Sequence, residues 1–464
     1  MPLSLIAIVL AAGQGKRMRS DVPKVLHAAA GRTLLDWALR ATEGLEPDRT
    51  LVIVGHQAEQ VARTLPPGAE AVVQEHQLGT GHAVTVALAV LEQLTGQDTV
   101  VITYGDMPLV SSDLLKAAVA ARLGGVASIV TFESEDSSGY GRILRHDTGA
   151  FDRVVEEQDA RPEQRAITEV NAGIYAFAGS VLGPALAKVA AENAQGEYYL
   201  PDVLPILMKE GGSVATVSAD QVEVAGVNSH DQLAEAEAEL RRRINARWQQ
   251  EGVWMQDPES VYIDDSVVLA PGVRLYPGVH LEGQTRVEQG AVVGPDTFVV
   301  DSVIGPGARV WYSVLRSALV GEGAEVGPYA SLRPGTVLAA HSKAGTFVEI
   351  KNSSVGEGAK VPHLAYVGDA TIGPRANLGA GSITCNYDGY EKHRTVIGEG
   401  AFIGSATMLV APVVVGEGAF TGAGSVITRD VGPGTLAIER SHQQEIPGYA
   451  ARREERHRAK ASED

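Results

Sequence analysis

Two rhythms of apolar and polar positions divide this 464-residue chain. Up to residue 228, short apolar runs at 6–10, 51–54, 100–103 and 128–131 alternate with longer amphipathic stretches. Such runs between helix-like segments predict a mostly parallel α/β sheet. Ligands of such sheets sit beyond the carboxyl ends of the strands. There the chain carries Ala-Ala-Gly-Gln-Gly at 11–15 and Tyr-Gly-Asp at 104–106.

Beyond residue 261 an aliphatic residue recurs at every sixth position: Ile263, Leu269, Leu275, Leu281, Val287 and Val293. After a slip the sixes resume at Ile304, then at Val320, Val326, Leu332 and Leu338, at Val355 and Val361, at Ile372 and Leu378, and at Ile397, Ile403, Leu409 and Val415. Each six predicts one flat side and one corner of a triangular solenoid. The aliphatic side chain fills the narrow interior, and glycine or proline turns the corner. With three sixes per coil and strands stacked about 4.8 Å apart, the prism runs roughly 40 to 50 Å. The sixes fail between Ile383 and Ile397, where TCNYDGYEKHRTV is too polar and aromatic to continue a coil. An inserted loop on a rigid scaffold is where function concentrates.

Between the two rhythms, Asn228-Ser229-His230-Asp231 leads into LAEAEAELRRRINARWQQ, acidic early and basic late. This predicts a linker helix over 229–252, with Ser229 and Gln232 as its capping box and a charge order that suits the helix dipole. The predicted divisions are therefore 1–228, 229–252 and 253–464. Beyond 448 the charges mix without apolar periodicity, which predicts a frayed tail.

Composition narrows the function classes. Aromatics make up 5% of the chain and glycines number 52, a balance that favours short turns over a bulky core. A net charge of −18 argues against a nucleic-acid coat or an anionic-membrane binder. The apolar run at 3–12 is too short to span a bilayer and lacks the basic flank of a signal peptide. The single cysteine, Cys385, cannot form an intrachain disulfide and fits a reducing cytoplasm.

The turn Leu10-Ala11-Ala12-Gly13-Gln14-Gly15-Lys16-Arg17-Met18 follows the first predicted strand, and Lys24 comes shortly after. Such a turn lets backbone NH groups approach phosphates while Arg17 and Lys24 offset their charge. Met18 stands where a dinucleotide-binding turn would have its third glycine, so this is not that motif. Taken with VPKVLH at 22–27, QLGTGHA at 77–83 and YGDMPL at 104–109, the turn resembles that of the sugar-nucleotide pyrophosphorylases. With the sixes added, the resemblance narrows to the bacterial bifunctional N-acetylglucosamine-1-phosphate uridyltransferase and glucosamine-1-phosphate acetyltransferase family, over about 5–448. Lys16 is a departure, since the family usually has threonine there.

That resemblance implies a Rossmann-like nucleotidyltransferase domain, a linker helix and a left-handed parallel β-helix of hexapeptide repeats. It also implies a cytoplasmic homotrimer with acetyl-transfer sites between neighbouring prisms. Leu10, Ala11, Ala12, Gly13, Lys24, Gln74, Gly79 and Thr80 would hold the nucleotide of UTP, with Gln74 and the Gly-Thr backbone reading uracil. Tyr104, Gly105, Gly141, Glu156, Asn171 and Asn228 would line the side taken by N-acetylglucosamine 1-phosphate. Asp106 and Asn228 would bind Mg²⁺, a hard cation that takes few protein oxygens and fills its shell with phosphate oxygens.

Acetyl transfer to an amine needs a base, because an ammonium has no lone pair with which to attack a thioester. His363, third in its six, should point outward, and it matches the family's catalytic histidine. By the same resemblance Arg333, Lys351 and Lys392 bind the phosphate of glucosamine 1-phosphate, and Tyr366 and Asn377 orient the sugar. Ala380, Asn386, Tyr387, Ser405, Ala423 and Arg440 match acetyl-CoA positions. Cys385 reads as a bystander, since direct attack on the thioester needs no acyl-cysteine. A pyrophosphorylase of other specificity with a regulatory β-helix predicts no histidine and lysine set around an inserted loop. A decayed scaffold predicts losses at Lys24, Asp106 or His363, and all three are present.

Overall fold

The structure is a computed structural model that describes residues 4–461, with the side chain of Lys16 outside the described residues. It divides into two compact units, Met1–Ala246 with Ile263–Asp265, and Arg247–Tyr262 with Ser266–Asp464.

In the first unit the predicted runs become strands of one nine-stranded sheet. In chain order these are β1 (Leu5–Ala11), β2 (Arg49–Val54), β3 (Ala69–Val73), β4 (Thr99–Tyr104), β5 (Ala127–Glu133), β6 (Arg142–Arg145), β7 (Phe151–Val155), β8 (Glu169–Ala178) and β9 (Val214–Ser218). The order across the sheet is β9-β5-β8-β4-β1-β2-β3, with β6 joining β8 to β7. β1 lies parallel to β2 and β4, while β8 runs antiparallel between β4 and β5. Nearly all of β1 is buried, as a central strand covered on both faces must be.

Register then places the loops. Leu10 pairs with Tyr104 on one side and Ile53 on the other, so the glycine turn after β1 and the Gly-Asp after β4 leave the sheet together. Gly105 donates its NH to the Leu10 carbonyl at 2.9 Å, which locks the two loops to each other. A helix at Thr80–Leu88 starts from Gly79, whose φ of 105° and close approach to the Tyr198 carbonyl exclude a side chain.

The predicted linker helix spans His230–Gln250. Its capping differs from the expected box: the Gln232 side-chain oxygen accepts from the NH of Asn228 at 2.8 Å, not from that of Ser229. The Ser229 hydroxyl is instead engaged by Asp231. The helix start is thereby tied to Asn228.

In the second unit the sixes form a left-handed parallel β-helix. Its three faces hold eleven, ten and nine parallel strands among the described residues. Every aliphatic residue that opens a predicted six is buried. The slips in the pattern are short sides, such as Val299 to Ile304, Ile350 to Val355 and Val367 to Ile372. At those corners Asp301, Asn352 and Asp369 take left-handed φ values of 49°, 45° and 50°, a conformation that short polar side chains tolerate. A buried hydroxyl completes the corner: Ser353 donates to the Lys351 carbonyl at 2.7 Å and accepts from the NH of Ala370 at 2.9 Å.

Two expectations change. The interruption is narrower than predicted: Ile383–Cys385 and Thr395–Ile397 are strands of the coil, leaving 386–394 as the excursion. Alternating inward positions let polar Thr384 and Thr395 sit buried in the coil, which an aliphatic search misses. The tail is not frayed throughout, because Tyr449–Ala461 forms a fully exposed helix. Alanine and charged helix formers with a Glu454–Arg458 pair support it without any apolar stripe.

Interior and exterior positions of one side give a direct test. Leu338 is fully buried and its neighbour Val337 is 41% exposed. Leu338→Ala should cost about 2–5 kcal/mol and Val337→Ala about 0.5 kcal/mol or less, measured by denaturant unfolding of the full chain.

Candidate active sites

Beyond the carboxyl ends of β1 and β4 lies a cleft of about 370 Å³. Eleven of the predicted residues line it: Leu10, Ala11, Ala12, Gly13, Lys24, Gln74, Gly79, Thr80, Tyr104, Asp106 and Asn228. Gln74, directly after β3, is 3% exposed, and its side-chain NH₂ lies 3.2 Å from the Gly79 carbonyl and 3.0 Å from His82 Nδ1. Its amide is therefore oriented before any ligand arrives. The Thr80 hydroxyl accepts from the Leu200 NH at 3.0 Å, which ties the helix start to the far wall.

The floor of the cleft holds a charged knot. The Lys24 ammonium pairs with the Asp106 carboxylate and donates to Asn228 Oδ1 at 2.9 Å. Asp106 and Asn228 come from loops far apart in the chain, and their side-chain oxygens converge on the Lys24 ammonium at the start of the short helix Lys24–Leu26. Asp106 is also held through its backbone, because the Val227 NH donates to its carbonyl at 2.9 Å. Two oxygen donors around one positive charge fit a hard divalent cation. Among the described residues no group of three or more His, Cys, Asp and Glu side chains gathers to hold a metal, so a cation here would draw its remaining ligands from phosphate or water.

Five predicted residues stand outside this lining. Arg17 is exposed in the short turn Lys16–Met18. Gly105 supports the wall from behind, where a Cβ would meet Leu35 at 2.9 Å. Gly141, Glu156 and Asn171 lie close to one another: the Asn171 NH donates to the Gly141 carbonyl at 2.8 Å, and a Cβ on Gly141 would lie 3.0 Å from Glu156 Oε1. The Tyr104 ring packs against Gly173 at the β8 bulge, where a Cβ would lie 2.5 Å from it. Burial, with the nearby charges of Asp202 and Asp159, pushes the Glu156 carboxyl up to about 7. Burial likewise raises Asp202 to about 6.

Sequence reasoning missed Val25, Gln77, Ala83 and Glu197 in the lining. Val25, Gln77 and Ala83 sit inside quoted motifs and carried a signal. Glu197 lies on a long loop and had none.

In the second unit the predicted residues fall on two different corners. Arg333, Lys351 and Gly368 occupy equivalent corners of successive coils, following the paired Leu332, Ile350 and Val367. The Tyr366 hydroxyl and the Asn386 side chain both face Gly368, where a Cβ would lie 2.5 and 2.6 Å from them. The Lys392 ammonium lies against that of Lys351, whose positive charge lowers its pKa. Asp369 was not predicted. Burial works against its charge, but the amides of Asn352 and Asn386 and the ammoniums of Lys351 and Lys392 hold it below the usual carboxylate range. Arg333 is bonded to Glu349 at 2.9 Å.

The other corner carries His363, exposed as predicted. Its carbonyl accepts from the Gly381 NH, Ala380 from Ala406 at 2.7 Å, Ser405 from Gly424 at 2.8 Å and Ala423 from the Arg440 guanidinium at 2.8 Å. These residues form one ladder of small side chains up a single edge. Asn377 lies on the face leading to that edge, paired with Lys360 and Phe402. Tyr387 and Lys392 bridge across the excursion. Cys385 is half-buried, and burial raises its thiol pKa.

Comparison with known proteins now bears on the whole chain. Residues 7–198 match the MobA-like NTP transferase domain, and residues 394–429 match the bacterial transferase hexapeptide family. A bifunctional protein GlmU of Streptomyces avermitilis is 48% identical over 455 residues, covering 96% of this chain and 94% of that protein. One from Kineococcus radiotolerans is 48% identical, covering 95% and 91%. One from Desulfitobacterium hafniense is 45% identical, covering 96% and 98%. With similarity of this degree running through both units, the chain belongs to the bifunctional GlmU family.

Proposed function

We propose that the cleft beyond β1 and β4 is the uridyl-transfer site and that the β-helix corners carry acetyl transfer. In this reading 1–228, 229–252 and 253–464 are the uridyl-transfer, connecting and acetyl-transfer segments. The chain is a bifunctional transferase that makes UDP-N-acetylglucosamine, a precursor of peptidoglycan. An acetyl group passes from acetyl-CoA to glucosamine 1-phosphate, and a uridyl group then passes from UTP to N-acetylglucosamine 1-phosphate with release of pyrophosphate. The observation that carries the first site is the convergence of Asp106 and Asn228 on one cation in a cleft of about 370 Å³.

In uridyl transfer the oriented Gln74 amide reads uracil, and the Ala12–Gly13 backbone receives the phosphates. Asp106 and Asn228 would hold Mg²⁺, which would supply positive charge against the phosphates. The sugar-phosphate oxygen attacks the α-phosphate and pyrophosphate leaves, so the protein's residues contribute positioning and charge, not covalent bonds. Glu156, whose carboxyl is pushed up to about 7 by burial, can donate to a sugar hydroxyl when protonated and accept from one when ionised.

In acetyl transfer the Lys351 and Lys392 ammoniums, with Arg333, receive the sugar phosphate, and Tyr366 and Asn377 orient the ring. His363 takes the proton from the glucosamine ammonium, the amine attacks the thioester carbonyl, and the CoA thiolate leaves. The pantetheine arm follows the small residues of the Ala380–Ser405–Ala423 edge, with Asn386, Tyr387 and Arg440 at its flanks. Within one prism, His363 and the Lys351 corner stand a full side apart, about 15 Å along extended chain. A second prism that sets its lysine corner against this histidine edge completes the site, which supports a homotrimer with shared sites. Among the described residues no helix is long and apolar enough to cross a membrane. A cytoplasmic place fits the supply of UTP and acetyl-CoA.

His363→Ala should abolish acetyl transfer and leave uridyl transfer intact, assayed separately with the two sugar phosphates. Cys385→Ala should retain both, and loss of acetyl transfer with intact assembly would refute the bystander role. Shared sites predict complementation: His363→Ala and Lys351→Ala chains, each inactive alone, should regain acetyl transfer when co-expressed and assembled together, and persistent inactivity counts against them.

Glu156 supplies a pH dependence. Its folded pKa of about 7 lies above the ordinary 4.5. Below about pH 4 both states are protonated; as pH rises toward 7 the unfolded chain ionises first, so stability falls by on the order of 3 kcal/mol. Glu156→Gln should therefore raise the unfolding temperature of the first unit at pH 8 and leave it nearly unchanged at pH 4.

A further inference from the structure

The Lys24 side chain is fixed at its base and committed at its tip. At the base it packs over Gly15, where an added Cβ would lie 2.6 Å from Lys24 Cβ. At the tip its ammonium takes both the Asp106 carboxylate and Asn228 Oδ1, the latter at 2.9 Å. The pair is shielded, with the Lys24 and Asp106 side chains only 11% and 16% exposed. The two acceptors are anchored independently of the lysine. Val227 donates to the Asp106 carbonyl, and Asn228 donates its own NH to Gln232 at 2.8 Å.

An ammonium and a divalent cation cannot both contact these two oxygens. They would lie about 4 Å apart in a shielded cleft, where like charges repel strongly. We propose that Lys24 is a resident counter-ion of the metal pair. In the nucleotide-free enzyme its ammonium occupies the cation position between Asp106 and Asn228, keeps the two oxygens convergent and weakens divalent-metal binding. The phosphates of an incoming nucleotide, received at the neighbouring Ala12–Gly13 turn, offer the ammonium another anion and so vacate the position. Metal and nucleotide are thereby coupled through one side chain. The inference rests on the reading of Asp106 and Asn228 as the metal-binding pair.

The test is Mn²⁺ binding to the full-length, nucleotide-free protein, read from the electron paramagnetic resonance signal of free Mn²⁺. Lys24→Met keeps most of the apolar stem and removes the charge, and it should bind Mn²⁺ about tenfold more tightly than the parent. Lys24→Arg keeps the charge and should bind as weakly as the parent. Adding Asp106→Asn to Lys24→Met should remove the gain. Mn²⁺ binding by Lys24→Met no tighter than the parent's, while still sensitive to Asp106→Asn, would overturn the counter-ion role and leave the metal pair standing. Equal tightening in Lys24→Arg would trace the effect to lost packing and also overturn it. Binding indifferent to Asp106→Asn would overturn the metal pair itself, and the inference with it.

Discussion

Parallel pairing in register is the constraint on which both units rest. A parallel strand pair requires a crossover, so its neighbours come from distant parts of the chain, yet their ends leave the sheet side by side. In the first unit the pairing of Leu10 with Tyr104 brings the glycine turn to the Gly-Asp that follows β4. In the second, the pairing of Leu332, Ile350 and Val367 stacks Arg333, Lys351 and Gly368 on one edge. A one-residue slip would turn these side chains to the opposite face and scatter both sites.

The two sites use charge in different ways. The cleft of the first unit is shielded, and its central cation is already paired with Asp106. Beside it, burial and the nearby charges of Asp202 and Asp159 push the Glu156 carboxyl up to about 7. The β-helix corner is open to water and holds two like charges, Lys351 and Lys392, against each other, with Asp369 as partial compensation. Apposed ammoniums on a chain of net charge −18 form a local exception to an acidic surface. Such an exception suits a small anionic substrate better than an extended polyanion.

The excursion at 386–394 gives this corner its asymmetry. Asp388 accepts from the NH groups of Tyr390 and Glu391 and pairs with His393 at 2.7 Å, so the loop is built around its own carboxylate. That internal framework lets an exposed loop present Lys392 at a defined place beside Lys351. Where the sides of the β-helix are a residue short, Asp301, Asn352 and Asp369 absorb the difference as left-handed corners. At the last of these the corner residue also joins the charged cluster.

The spacing of aliphatic residues was sufficient to determine the β-helix, because a narrow interior admits little else at those positions and each opener is indeed buried. The alternation of apolar runs and amphipathic stretches was likewise sufficient for the mostly parallel sheet, and the family resemblance carried by the motifs implied eleven residues of the cleft lining. Periodicity carries no information about corners closed by polar residues, so the extent of the excursion, the buried Thr384 and Thr395 and the role of Asp369 emerged only in three dimensions. The exposed terminal helix escaped because charge pairs and propensity, not an apolar stripe, support it. Only tertiary structure decided that Lys24 sits between Asp106 and Asn228, that Glu156 is buried among acids, and that His363 and Lys351 occupy different corners of one prism. These are matters of distance between segments far apart in the chain, which composition and spacing do not encode.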